Sequence, residues 1–263
     1  MSGLPVSCTP YFPDKAKQIL LTRSSACDPA IVEKLEKYLR ETGGDAIVTS
    51  GFMDAVKDRG IAALTSIRLT GRYVTADKYR VELKAGRGSC IYPAGNRPVA
   101  LPVLEFRNNS TWAVVKASRD EESFALLLRD NYCSGRLWTL AVPDAYPDIY
   151  RLPAPVLSRI RQQFPVEGVW LEGPARISVF PYDNGSFVVY PYVMDGVQRE
   201  TIRLHVCGAA ALEDPCRPAR FGGGRIDPLY VKNGEAVFET EAMPGRYTLY
   251  KIIKEGQERT VQP

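Results

Sequence analysis

Polar and apolar positions follow two different periods along this chain, and the change from one to the other divides it. Ile31, Val32, Leu35, Tyr38 and Leu39 recur at helical spacing. They predict a helix over 29–42. Asp28 suits its N-cap and Pro29 its first helical position. Glu33/Lys37 and Glu36/Arg40 form i,i+4 pairs on the wet face. Gly43-Gly44 ends the helix, because glycine takes the left-handed conformation cheaply. The short apolar runs 18–22 and 45–50 on either side read as buried strands. Strand, helix and strand of these lengths predict a βαβ unit with adjacent parallel strands and a right-handed crossover. A short helix is expected over 52–58, stopping at Gly60. Together these elements predict the start of a doubly wound, flavodoxin-like layer.

Beyond residue 61 the period shortens to that of strands. Runs rich in Val, Leu, Phe and Trp occupy 101–107, 111–117, 124–129 and 136–142. Asn108-Asn109-Ser110 and Cys133-Ser134-Gly135 supply turn chemistry between them. Residues 86–98 read as a loop and 143–155, with four prolines, as irregular. A helix over 155–164 is expected to close the first domain, and Pro165 discourages its continuation. From 166 onward no long helix is predicted. Asp183-Asn184-Gly185, Asp195-Gly196 and Asn233-Gly234 are tight-turn signals between the β-rich runs 187–192, 199–206 and 236–240. Pro244-Gly245 leads into a further run at 246–253, while 209–228, with Gly222-Gly223-Gly224, reads as a long loop. The expected fold class is therefore α/β plus all-β. A partial flavodoxin-like α/β domain over 1–165 precedes an antiparallel β-sandwich over 166–263.

Charge and cysteine usage narrow the chemistry. The 34 basic and 30 acidic residues leave a net charge of +4, too weak a footprint to imply nucleic acid. The densest basic stretch (Arg68, Arg72, Lys78, Arg80, Lys84 and Arg87) holds Tyr73 and Tyr79. Its polar and apolar residues alternate, so it reads as the solvated face of a strand rather than a base-stacking surface. No apolar run reaches the roughly 18 residues of a membrane span, and residues 1–13 show no signal-peptide pattern. The reading is a soluble protein with no membrane partner. The six cysteines form no Cys-x-x-Cys pair and only one histidine exists, so neither a metal nor a cofactor is expected. Scattered cysteines read as reduced and buried, with a Cys207–Cys216 bridge left open. Cys27 precedes a helix N-terminus, where a thiolate would be stabilised, but the first domain has no histidine to serve it. Activity, if present, is expected to need no metal and no free thiol.

A Ser-His-Asp triad would have to use His205, which sits in a predicted strand, and no Gly-x-Ser-x-Gly elbow accompanies it. Gly86-Arg87-Gly88 and Gly222-Gly223-Gly224 lack the context of nucleotide loops. Paired carboxylates remain, and glycoside hydrolysis needs only two. Glu105, Asp130, Asp144, Asp148, Glu172 and Asp183 stand in aromatic surroundings. Asp183 reads as a turn residue, and Asp144 and Asp148 as caps or turns near the closing helix. Glu105, between Leu104 and Phe106, needs a partner such as Arg107 or Arg129, or a function. The catalytic candidates are Glu105, Asp130, Asp144 and Asp148. If the chain is a glycosidase, two of them should face one cavity about 5–10 Å apart. Trp112, Trp138 and Trp170 could offer flat faces to sugar rings but read first as core.

The run Ile19-Leu20-Leu21-Thr22, then Asp28-Pro29-Ala30-Ile31-Val32-Glu33-Lys34-Leu35, Gly43-Gly44 and Ile47-Val48-Thr49-Ser50-Gly51 resembles a known module. It is similar to the glutamine-amidotransferase-like, or trimerisation, domain of bacterial β-galactosidase-type glycoside hydrolases. Asn131-Tyr132-Cys133-Ser134-Gly135-Arg136-Leu137-Trp138 resembles the closing hairpin of that module. The resemblance covers roughly residues 4–164, and the sandwich fits by order alone. It implies a flavodoxin-like module, an oligosaccharide or polysaccharide partner, and assembly that allows a homo-oligomer. The family's catalytic carboxylates come from a barrel that precedes the module. This chain's beginning falls inside the module, so none of them maps onto it. Three readings follow: an accessory region of a carbohydrate-active enzyme, a self-contained glycosidase, or a glycan-binding module without turnover.

Overall fold

Residues 45–49 show no alternation of exposed and buried positions because neither side of their strand meets water. The computed structural model describes residues 4, 8–83, 88–95, 98–107, 110–142, 151–165, 168–192, 199–216 and 224–256. They divide into two compact units, Ser7–Val156, and Leu157–Pro263 together with Leu4. In the first, β1 (Gln18–Leu21) pairs in parallel with β2 (Asp45–Thr49), Gln18 opposite Asp45, and every residue of β2 is buried. Helix α1 (Ile31–Glu41) connects them and buries Ile31, Val32, Leu35, Tyr38 and Leu39. It starts later than its signals suggested. Ala30 is the N-cap, and the Asp28 carboxylate instead accepts the Ala30 N–H at 2.9 Å and pairs with Lys34 at 2.6 Å. Lys34, then the Ala30 N–H, hold the Asp28 carboxyl below its usual range. The displacement follows from a 3-10 turn over Arg23–Cys27, which Asp28 closes by donating its N–H to the Ser25 carbonyl. Gly43, with φ +64°, ends α1 in the left-handed region.

Helix α2 (Ser50–Ala55) follows β2 directly, with the Thr49 hydroxyl accepting the Phe52 N–H at 3.1 Å. Thereafter the unit is built from strands: β3 (Arg68–Thr75), β4 (Lys78–Glu82), β5 (Ser89–Pro93), β6 (Ala100–Glu105), β7 (Trp112–Arg119), β8 (Glu122–Tyr132) and β9 (Gly135–Leu140). Seven strands form one sheet in the order β1-β2-β9-β8-β7-β4-β5, and β3 and β6 form a separate ribbon. Only β1, β2 and β9 run parallel to their neighbours; β9, β8, β7, β4 and β5 pair antiparallel.

This overturns the expectation of a flavodoxin-like α/β layer. The described residues hold eighteen strands but three α-helices, of 11, 6 and 9 residues, and no such layer. A doubly wound layer needs a crossover helix after each parallel strand. Here only α1 is a crossover of that kind. Beyond α2 the chain consists of Val-, Leu- and Trp-rich runs joined by short turns, which pair antiparallel.

Tyr38 and Tyr79 are almost wholly buried in this unit. Tyr38 donates its hydroxyl to the Ala16 carbonyl at 2.8 Å, whereas the Tyr79 hydroxyl has no partner among the described residues. Burial pushes both phenols up to about 12. The folded state then holds protons that the unfolded chain loses above pH 10. Their contribution is complete below pH 10 and is lost as pH rises toward 12. Tyr79→Phe is expected to leave neutral-pH stability unchanged or raise it by about 1 kcal/mol, since it removes an unsatisfied hydroxyl. It should also lessen the loss between pH 10 and 12. Denaturant midpoints across that range check both outcomes.

The second unit takes in most of α3 (Ala154–Gln162) and the strands β10 (Val169–Glu172), β11 (Ile177–Pro181), β12 (Ser186–Pro191), β13 (Glu200–Cys207), β14 (Ala209–Glu213), β15 (Arg225–Ile226), β16 (Tyr230–Lys232), β17 (Glu235–Ala242) and β18 (Thr248–Lys254). Two antiparallel sheets, β10-β13-β17-β16 and β11-β12-β18-β14-β15, share one core. Val169, Leu171, Leu204, Val206 and Phe238 come to it from the first sheet, and Val179, Phe187, Val189, Leu212 and Tyr250 from the second. The Asn233-Gly234 turn has φ of +52° and +77°, which only a tight hairpin turn requires. The long loop expected over 209–228 is corrected: it contains β14 and β15. Ala209 and Ala211 disguise β14, because alanine is a weak strand former although both are buried here. Gly222 and Gly223 lie outside the described residues. Arg161 on α3 is fully buried and donates to the carbonyls of Gly173 and Pro174, each at 2.8 Å. The Ser158 hydroxyl accepts the Gly173 N–H at 3.0 Å.

The cysteines are reduced as expected, but the reading of them as buried is corrected. All six are free, including Cys207 and Cys216, and five are exposed with Cys90 intermediate. Cys133 and Cys216 sit in turns and Cys207 ends β13, where side chains leave the packed layer. No described helix is long and apolar enough to cross a membrane.

Candidate functional site

Asp130 is the one catalytic candidate that the described structure buries, at 2% exposure. β8 alternates its faces, so Asp130 shares a face with Tyr132 and stands opposite Leu137 of β9. A carboxylate on such a face must be hydrogen-bonded. Thr65 donates its hydroxyl to Oδ2 at 3.0 Å. Ser110 donates to Oδ1 at 2.8 Å, and the Asn131 N–H donates to the same oxygen at 3.0 Å. Thr65 in turn accepts the Ile67 N–H at 3.1 Å. Asp130 thus fastens the segment before β3 and the segment before β7 to the central sheet.

A cavity of about 430 Å³ opens beside it, lined by Thr65, Ser66, Arg68, Arg107, Asp130 and Tyr132 among others. Among the described residues no second carboxylate lines it. Tyr132 turns its hydroxyl away to donate to Glu36 at 2.9 Å. Glu105 is not brought to this cavity. It ends β6 in an exposed position, opposite Arg68 of β3, and makes no ion pair among the described residues. The expected pairing with Arg107 or Arg129 is absent because the strand ends there and the carboxylate reaches water. Asp144 and Asp148 lie outside the described residues. Asp183 sits in the turn between β11 and β12.

A second polar cluster escaped the sequence reading. On the sheet face turned away from the second unit's core, β10, β13 and β17 bring Trp170, Glu172, His205 and Glu235 together. His205 is 6% exposed and stacks on Trp170 with ring centroids 3.6 Å apart. Its Nδ1 lies 2.8 Å from Glu235 Oε1 and its Nε2 3.0 Å from Glu172 Oε2. The Trp170 indole N–H donates to Glu235 Oε2 at 2.9 Å, and Arg203 lies between Glu172 and Glu239. The two ring nitrogens point to carboxylates on opposite sides and do not converge on a cation. Among the described residues no group of three or more His, Cys, Asp or Glu could hold a metal ion. The only sequence signal was the register itself: Trp170 pairs with His205, which pairs with Val237, across strands whose pairing local patterns do not give. Trp138 is buried as core, while Trp112 is exposed and donates its indole N–H to Glu82 at 3.1 Å.

No family model matches the chain, and no curated protein does. Several solved structures are similar to it. A β-galactosidase from Bacillus circulans sp. alkalophilus is 12% identical, with 89% of this chain and 31% of that one covered and a TM-score of 0.39. A β-galactosidase from the haloarchaeon Halorubrum lacusprofundi is 11% identical, with 91% and 32% covered and a TM-score of 0.41. An exo-β-1,4-mannosidase from Opitutaceae bacterium strain TAV5 is 15% identical, with 58% and 23% covered and a TM-score of 0.31. The chain spans about a third of the length of the β-galactosidases it matches. Likenesses at these scores carry no argument about fold or activity.

Proposed function

We propose that this chain is a non-catalytic accessory region of a carbohydrate-active protein, serving assembly or forming part of a substrate cleft. The observation that carries the non-catalytic reading is the state of Asp130. Both of its oxygens already accept hydrogen bonds from Thr65, Ser110 and Asn131, and among the described residues its cavity offers no second carboxylate. Glycoside hydrolysis needs two carboxylates across one cavity. The association with carbohydrate rests on the resemblance carried by residues 19–51 and 131–138.

Asp130→Asn is therefore expected to act on stability. It weakens charge-assisted bonds at a buried site, a loss of about 2 kcal/mol, or roughly 4–8 °C in Tm. The full chain should release no product from a panel of aryl glycosides and polysaccharides. Turnover abolished by a single replacement of Glu105, Asp130, Asp144 or Asp148, with Tm nearly unchanged, would sink the accessory reading in favour of a self-contained glycosidase.

A further inference from the structure

A second cavity of the first unit, about 600 Å³, lies at the carboxyl ends of β1 and β2. Arg23 follows β1 and Ser50 follows β2, and both line it. The volume is that of ordinary small-ligand pockets. Its opposite wall comes from an irregularity in β3. Leu69 pairs with Leu104 and Tyr73 with Pro102, so β3 spends four residues where β6 spends two. Gly71 makes this feasible with φ +76°, and the Thr70 hydroxyl accepts the Arg72 N–H at 3.1 Å across the bulge. Bulges of this kind re-aim side chains. Here Arg68, Arg72 and Tyr73 all line the cavity.

The chemistry of the wall is one-sided. Among the described residues Asp54 is its single carboxylate, and it already pairs with Lys57 at 3.3 Å. Arg68 and Arg72 make no ion pair among the described residues. Tyr73 is 58% exposed, a bare aromatic face beside two guanidinium groups. The Ser50 hydroxyl is buried and has no hydrogen-bond partner among the described residues. Guanidinium forks match carboxylates in a bidentate manner. An aromatic face suits the apolar side of a sugar ring.

We propose that this cavity binds an acidic saccharide, a sugar ring carrying a carboxylate. Arg68 and Arg72 take the carboxylate, Tyr73 carries the ring, and the Ser50 hydroxyl pairs with a ligand oxygen after a turn about its side-chain bond. This rests on the carbohydrate-associated reading and names the sugar class. The test is calorimetric titration of the full chain at low salt with galacturonic acid trimer, galactose trimer, inorganic phosphate and a single-stranded RNA. The galacturonate trimer is expected to bind at least about tenfold tighter than the neutral trimer, given the strength of charge-assisted bonds. Arg68→Gln, Arg72→Gln and Tyr73→Ala should each weaken it by about tenfold, and added salt should weaken it further. All three positions are exposed, and an unchanged Tm confirms that the fold is kept. Equal affinity for the neutral trimer overturns the acidic-sugar assignment while leaving the carbohydrate reading intact. Phosphate or RNA binding tighter than the sugar acid, galacturonate binding insensitive to the three variants, or no binding at all also overturns it. The glycoside assay tests the accessory reading independently.

Discussion

Arg161→Ala should lower the stability of the second unit by about 4 kcal/mol, the expected sum of two lost charge-assisted bonds, orphaned carbonyls and a cavity. The guanidinium is fully buried on α3 and bridges the carbonyls of Gly173 and Pro174, which follow β10. Helix and strand end are therefore joined by one side chain, with Ser158 adding a bond to the Gly173 N–H. Scanning calorimetry should show the affected transition falling by roughly 15 °C for a unit of this size. Arg161→Met separates the causes. It restores most of the volume, so its remaining loss, about 2 kcal/mol, measures the two carbonyls left without donors. If the methionine variant is as stable as the parent, packing accounts for the whole effect and the bridge contributes nothing. Alkaline pH gives a further sign. Burial pushes the guanidinium from its ordinary value down to about 10. Between those values the unfolded chain holds the extra proton, so this group's contribution becomes more favourable as pH rises, opposite to that of Tyr38 and Tyr79.

Arg161 also marks what the sequence could and could not show. The helix around it was legible from the prolines that bound it, but nothing local distinguishes an arginine aimed at two carbonyls from one aimed at water. The same holds elsewhere. The spacing of Ile31, Val32, Leu35, Tyr38 and Leu39 displays the buried face of α1 directly, and the apolar runs on either side display β1 and β2. The pairing of β2 with β9 does not appear in any window, because Asp45 and Arg136 meet only after the intervening strands are laid down. Without that pairing, a βαβ start reads as the opening of a larger α/β layer, and the strand-rich sheet is missed. Asp130 was recognised as a carboxylate in aromatic surroundings. Its role depends on Thr65 and Ser110, which approach from separate segments. The His205 cluster depends likewise on strand register. Asn233-Gly234, by contrast, was legible because two positive φ angles are a local demand that few residues meet.

Gly135→Ala should cost the first unit about 3 kcal/mol, or roughly 6–12 °C in Tm, through overpacking against backbone. Gly135 opens β9 and is held against two other segments at once. A Cβ there would lie 2.7 Å from the Leu39 carbonyl oxygen, 2.9 Å from that of Gly44 and 3.0 Å from the Leu39 Cα. These are backbone atoms and no side chain can swing aside, so α1 and the start of β2 must retreat from β9. That retreat strains the Arg136 N–H bond to the Gly44 carbonyl at 3.2 Å and the Arg136–Asp45 pair at 2.6 Å. It also strains the Ser134 hydroxyl bond to the Arg40 carbonyl at 2.8 Å. Gly95→Ala is the control. Nothing lies within 4 Å of a Cβ at that position, and its backbone is not in the left-handed region. It should be neutral, or stabilise slightly by restricting the unfolded chain. Equal Tm values for the two variants would mean that α1, β2 and β9 do not meet as closely as this packing requires. A loss confined to Gly135→Ala would place a demanding contact of the first unit where β8 turns into β9 against α1 and β2.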